Sequence, residues 1–223
     1  MKTYAPAGLA EEMLAGARAL DRLERLVATV HGSGQSDPKF ASALAMLDTL
    51  SRKEDIPVAI IGGMAAIHHG YERLTKDIDI VVGKNHLAPF LQVAPNYGIK
   101  VVWRDVHGWH KFNYDGVAIE IVPEGGRARK DSPTTIPGPT QLGVAQGSGY
   151  SNLEGWVETK LSSGRIQDRA DVVWILKRLD SVALARVSKH LGSVHRSYLR
   201  LFDELCELAR EEIEQERERG GPR

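Results

Sequence analysis

The stretch IIGGMAAIHHGYERLTKDIDI, residues 60–80, decides the fold. Ile60 and Ile61 end an apolar run, Pro57 to Gly62, of the kind that forms a short buried strand closed by glycine. Gly62-Gly63 then makes a tight turn into a helical segment, Met64 to His69. Asp77 to Val82 alternates acid with Ile or Val, which predicts a half-buried strand. Side chains on a strand alternate with period two, so Asp77 and Asp79 share one face while Ile78 and Ile80 enter the core.

Two carboxylates on one strand face repel each other, and a divalent cation between them relieves that repulsion. An Asp-x-Asp pair is also common in solvated strands, so its neighbours decide the matter. Glycines where a strand meets a helix let phosphate approach the backbone amides; their plain alternative is a tight turn. Further on, His110–Tyr114 and Val117–Val122 flank Asp115-Gly116, whose residues suit a two-residue hairpin turn. That hairpin puts Glu120 in an otherwise apolar strand. A buried acid needs a partner, and a metal shared with Asp77 and Asp79 would serve. An edge position facing water is the alternative.

Around this centre, Leu9 to about Val30 carries apolar residues at helical spacing. Ser36 is placed to cap a second helix ending near Arg52. A helix is expected at about His86–Val93 and a strand at Ile99–Trp103. Residues 123–149 are rich in Gly, Pro, Ser and Thr and read as a long loop containing a basic cluster, Arg127, Arg129 and Lys130. From Ser151 the periodicity is helical: Ser151–Leu161, Ile166–Leu179, Val182–Leu191 and Val194 to Glu218. The expected organisation is N-terminal helices over 1–50, a core over 51–130, a loop or linker over 131–150 and a helical part over 151–223. The fold class is therefore α/β, a mixed sheet with packed helices followed by an all-helical C-terminal part.

Lysine plus arginine and aspartate plus glutamate each number 29, so any nucleic-acid partner would need a local basic patch. Cys206 is the only cysteine, which excludes an internal disulfide and a cysteine-rich zinc site. His68, His69, His107 and His110 lack a convergent third ligand type for zinc. Trp109, beside the hairpin, is placed to pack or to stack on a base. No apolar run reaches the roughly 20 residues that span a bilayer, and the first residues include acids unlike a signal peptide. A soluble, unprocessed cytoplasmic chain without membrane contact is expected.

Gly62-Gly63, thirteen intervening residues, Asp77-Ile78-Asp79 and a later Glu120 together resemble the signature of polymerase-β-type nucleotidyltransferases. Residues 60–80 are especially similar to the small bacterial branch that includes the AbiEii toxins of toxin–antitoxin systems. The helical pattern around Lys160, Arg165, Asp168 and Asp171 matches that branch in kind, and the resemblance spans roughly 56–178. Many members carry serine where this chain has Gly63, and aspartate where it has Glu120. The resemblance implies a nucleoside triphosphate held at Gly62 and Gly63, with Mg²⁺ on Asp77 and Asp79. It implies that Glu120 helps bind the metal or activates the nucleophile, and that Lys160 contacts phosphate. Arg73 and Thr75 would assist at the phosphates, with a turn or salt-bridge role as the alternative. The implied activity moves a nucleoside monophosphate from a triphosphate to a protein, tRNA or small-molecule acceptor, with a cognate antitoxin as a further partner. A catalytically silent nucleotide-binding or interaction module is the rival. Lys160 is expected at the edge of its helix's buried stripe, free to reach a cleft, so that its loss leaves the fold's stability nearly unchanged.

Overall fold

The computed structural model describes residues 14–22, 39–71 and 73–220. Within these, 14–22 are helical (α1), and α2 runs Lys39–Lys53. Most of the first expected helix and the Ser36 cap lie outside the described residues. The start of α2 is held from a distance: Asp21, buried at the end of α1, accepts from the amides of Lys39, Phe40 and Ala41 at 3.1, 3.0 and 3.1 Å. Those amides have no partner inside the helix, and one carboxylate satisfies all three.

The sheet is built from β1 (Val58–Ile60), β2 (Asp77–Val82), β3 (Lys100–Arg104), β4 (His110–Tyr114), β5 (Val117–Pro123) and β6 (Ser148–Tyr150), in the spatial order β3-β4-β5-β2-β1-β6. It is mixed: β2 runs parallel to β5 and β1 parallel to β6, whereas β1–β2, β3–β4 and β4–β5 are antiparallel. The sequence reading missed β6, because Ser-Gly-Tyr has no apolar alternation; it is a strand only because the outer edge of β1 offers it partners. Between β1 and β2 lies α3 (Gly62–His68), and between β2 and β3 lie α4 (Leu87–Val93) and a 3₁₀ turn at Ala94–Tyr97.

Strand alternation divides the sheet's side chains between two faces. Val58, Ile60, Ile78, Ile80, Phe112, Ile119 and Ile121 point to one face and pack with α1, α2 and α4. Ala59, Ile61 and Val81 point to the other, where they meet Ile136, Leu142 and Val144 from the segment between β5 and β6. That segment, read from sequence as a long loop, has turns and bends only, yet it buries these three side chains and covers half of the second face. The uncovered half carries Asp77, Asp79 and Glu120.

Helices α5 (Leu153–Ser163), α6 (Ile166–Leu176), α7 (Ser181–Val194) and α8 (Arg196–Glu218) form a second core around Trp156, Val172, Leu191 and Phe202. Ala65 and Ala66 of α3 belong to that core, so the short helix after β1 is the joint between the two halves. Trp156, fully buried, adds a polar tie by donating from Nε1 to the carbonyl of Gly62 at 3.1 Å. No helix among the described residues is long and apolar enough to cross a membrane.

Replacing Asp21 with alanine leaves three helix-end amides buried without an acceptor, a loss of about 2 kcal/mol. Asp21→Ala should lower the melting temperature by roughly 5 °C; a melt unchanged from wild type would show that the distant cap contributes nothing.

Candidate active site

The turn after β1 is shaped by what lies against it. Gly62 has a positive φ of 62°, and a Cβ there would stand 2.0 Å from Oδ2 of Asp79. No L side chain fits that conformation beside that carboxylate. At Gly63 a Cβ would stand 2.5 Å from Oγ1 of Thr75, which also donates to Oδ1 of Asp77 at 3.1 Å. A serine at position 63 would bring a hydroxyl to this spot; here Thr75 places one against the glycine from the facing loop.

Parallel pairing sets Asp77 against Ala118 and Asp79 against Glu120, so all three acids lie on one sheet face. Each has a distinct environment. Thr75 holds Asp77, and Glu120 accepts from Lys111 Nζ at 2.6 Å. Asp79 sits deepest, and burial, followed by repulsion from Asp77 and Glu120, pushes its pKa up to about 7, against the weaker pull of Lys160 and Arg165. The Lys111–Glu120 pair escaped the sequence reading although its signal was present: the Asp115-Gly116 turn fixes the hairpin register that sets the two residues opposite.

A cavity of about 240 Å³ opens over this face. Gly62, Asp79 and Glu120 form its floor. Lys160, Ser162, Arg165 and Asp168, from the end of α5 and the start of α6, form one wall. Trp109, Ile136 and Pro137 form an apolar wall, and Arg129, set against Gly164 at the end of α5, also lines the space. Of the residues singled out from sequence, the structure thus gathers Gly62, Asp79, Glu120 and Lys160 into one cavity. Asp77, Gly63, Arg73 and Thr75 stand behind its lining. Ser162 and Ile136 were not foreseen, since only the long-range packing of α5 and the covering loop brings them here.

Lys160 does not extend freely into the cavity. Its side chain is 7% exposed, and its ammonium bonds Asp168 at 2.7 Å and Asp171 at 2.6 Å. Neither Glu154 nor Glu158 is its partner; those acids pair with Arg186 and His190. The two aspartates, three residues apart on α6, are buried at 2% and 1% exposure instead of forming a solvated helix face. Asp168 also takes Arg165 at 2.7 Å and a short bond from Ser163. Burial raises the Asp168 pKa, but Arg165, Lys160 and Ser163 outweigh it and hold the carboxyl below its usual range. Arg73 reaches Asp171 at 2.5 Å, which ties the loop before β2 to the same cluster.

The other titratable groups near the turn are structural. Nε2 of His69 bonds the carbonyl of Ser151 at 2.9 Å, and burial, aided by His68, lowers its pKa to about 4, which keeps the ring neutral. Among the described residues, no three His, Cys, Asp or Glu side chains form a ready-made metal cage.

Two expectations about the free protein follow. Removing Lys160 takes one of two cations from each buried carboxylate, leaving Asp168 with Arg165 and Asp171 with Arg73, a loss of about 3 kcal/mol. Lys160→Ala should therefore lower the melting temperature by roughly 10 °C, in place of the negligible change the sequence reading expected; a melt within about 2 °C of wild type would contradict the buried pairing. Asp79 behaves in the opposite sense. Its folded pKa lies above its unfolded value, so the folded chain binds more protons between these values and loses stability as pH rises toward 7. Asp79→Asn should raise the melting temperature by roughly 2 °C or more at pH 8, and by less at pH 5. An equal effect at both pH values would contradict a raised pKa at Asp79.

No protein-family model matches the chain, and no curated protein matches it in sequence. In three dimensions it aligns with the antibiotic-resistance factor ANT(2'')-Ia at 12% identity and a TM-score of 0.39, covering 80% of this chain and 94% of that one. It aligns with a tRNA nucleotidyltransferase, solved with a primer tRNA and an incoming ATP analog, at 15% identity and a TM-score of 0.36, over 76% of this chain and 61% of that one. A CCA-adding enzyme solved with ATP aligns at 17% identity and a TM-score of 0.35, over 75% and 47% of the two chains.

Proposed function

We propose that this protein is a magnesium-dependent nucleotidyltransferase of the polymerase-β type, moving a nucleoside monophosphate from a nucleoside triphosphate to an acceptor. The observation that carries the reading is the shared face of Asp77, Asp79 and Glu120, with Asp79 and Glu120 in register on parallel strands beneath a cavity bordered by Gly62. Burial does most to raise the pKa of Asp79 and repulsion from Asp77 and Glu120 adds to it; a divalent ion between Asp77 and Asp79 would offset both. Magnesium is commonly held by one or two carboxylates plus substrate phosphates, so a site without a three-ligand protein cage suits it. When bound, the metal would supply charge neutralisation at the phosphoryl group.

In this reading the chain's own residues divide the remaining work. Gly62, which lines the cavity beside Asp79, would present backbone to the phosphates. Thr75 and Gly63 fix the position of Asp77 from behind. An acceptor oxygen bonds the α-phosphorus, the bond from that phosphorus to the bridging oxygen breaks, and pyrophosphate leaves. The acceptor's proton passes to Glu120, which Lys111 holds in place. Lys160 and Arg73 act through Asp168 and Asp171, keeping the wall formed by α6 in position over the cavity.

The test is transfer of label. Purified protein, magnesium and each α-phosphate-labelled nucleoside triphosphate are incubated with cell extract, and covalent label is followed on protein, RNA and small molecules. Wild type should label one acceptor class, while Asp77→Asn and Asp79→Asn reduce transfer by about a hundredfold or more. Binding of triphosphate without transfer to any acceptor would favour the silent module instead. The labelled acceptor would also decide whether a cognate antitoxin belongs in the picture, since adding the neighbouring gene's product should suppress the labelling.

A further inference from the structure

The structure leaves a question of charge: Lys160 is engaged by two buried carboxylates, so a different group must meet an anionic substrate in the cavity. Arg165 is also committed, bonding Asp168 at 2.7 Å. The third cation lining the cavity is Arg129, from the covering loop. Its nearest carboxylate is Asp131, whose oxygen is 3.7 Å from Nε, beyond hydrogen-bonding distance, on a side chain that is 78% exposed. A pair of that kind holds a guanidinium weakly.

The position of Arg129 is nonetheless built. Ser132, fully buried, accepts from the amide of Arg129 at 3.1 Å and donates to the carbonyl of Ser162 at 2.9 Å, which bolts the loop to the end of α5. Arg127 reinforces this turn by donating to the carbonyl of Ser132. The guanidinium of Arg129 then lies flat against Gly164, where an added Cβ would be 2.8 Å from Nη2 and 2.9 Å from Cζ. Gly164 has a φ of 60° at the end of α5, so the left-handed helix end also makes room for the arginine. Beside it, Ser162 lines the same cavity, is 2% exposed, and has a hydroxyl with no hydrogen-bond partner among the described residues. A buried hydroxyl without an acceptor, lining the same cavity as a weakly paired guanidinium, matches one chemistry: an anion with several acceptor oxygens.

We infer that Arg129 and Ser162 form a phosphate-binding subsite in the cavity that Asp79 and Glu120 also line, and that Arg129, not Lys160, is the cation that meets the substrate. The inference rests on the transferase reading and specifies where a phosphate group of its substrates is held. That group belongs either to the nucleoside triphosphate or to the backbone of a nucleic-acid acceptor, and the experiment separates the two.

Calorimetry is run on wild type, Arg129→Gln and Ser162→Ala with magnesium and the non-hydrolysable triphosphate of each ribonucleoside, with the corresponding free nucleosides, and with a short single-stranded RNA. Arg129→Gln should melt within about 2 °C of wild type, because its present ion pair is exposed. It should bind triphosphate or RNA about tenfold more weakly, and Ser162→Ala about threefold more weakly, while nucleoside binding is unchanged. Loss confined to triphosphate assigns the subsite to the donor, and loss confined to RNA assigns it to the acceptor. Wild-type affinity of Arg129→Gln for both probes would overturn the subsite while leaving the transferase reading standing. A wild-type protein that binds no triphosphate at all would overturn that reading itself, and the subsite with it.

Discussion

Much of this structure depends on one buried ionic cluster. Lys160 on α5 faces Asp168 and Asp171 on α6, with Arg165 and Arg73 completing the charge. Ions withdrawn from water are tolerated only when each finds close partners, so the cluster fixes several elements together. It sets the angle between α5 and α6, and through Arg73 it anchors the loop that leads into β2. That loop carries Thr75, which holds Asp77. The geometry of the acidic face is therefore coupled to a helix pair far along the chain.

A second constraint is steric. The side chains that would normally screen the turn after β1 are missing, and their space is filled by Asp79 and Thr75. The carboxylate is thus pressed against bare backbone while two other acids share its face. Burial, with repulsion from those acids, raises its pKa and makes its charge costly to the free protein. The buried cluster and the acidic face are complementary: one sets three cations on two carboxylates, the other is left with unbalanced negative charge.

The covering segment between β5 and β6 connects these features to the cavity. Ile136, Leu142 and Val144 cover part of the sheet's second face, so Asp79 and Glu120 open into a cavity and not onto a flat surface. The same segment supplies Arg129 and, through Ser132, attaches to α5. The cavity's lining sets an apolar wall with Trp109 beside a charged one.

The sequence by itself determined the features that follow from short-range periodicity and turn chemistry. Alternation placed Asp77 and Asp79 on one face, and Asp115-Gly116 set the register that carries Glu120 to that face and Lys111 opposite it. The helices after Ser151 were legible for the same reason, because a 3.6-residue apolar stripe is a local pattern. Tertiary structure alone decided the rest. Whether Lys160 reaches a ligand or is consumed by Asp168 and Asp171 depends on how two helices cross, which no spacing within either helix specifies. The strand at Ser148–Tyr150 exists only because β1 offers an edge, and a loop without periodicity became a cavity wall because three of its side chains found the sheet. Local patterns fix which way a side chain points along its own element; what it meets there is settled by long-range packing, and the partners of charge in this molecule lie mostly across such distances.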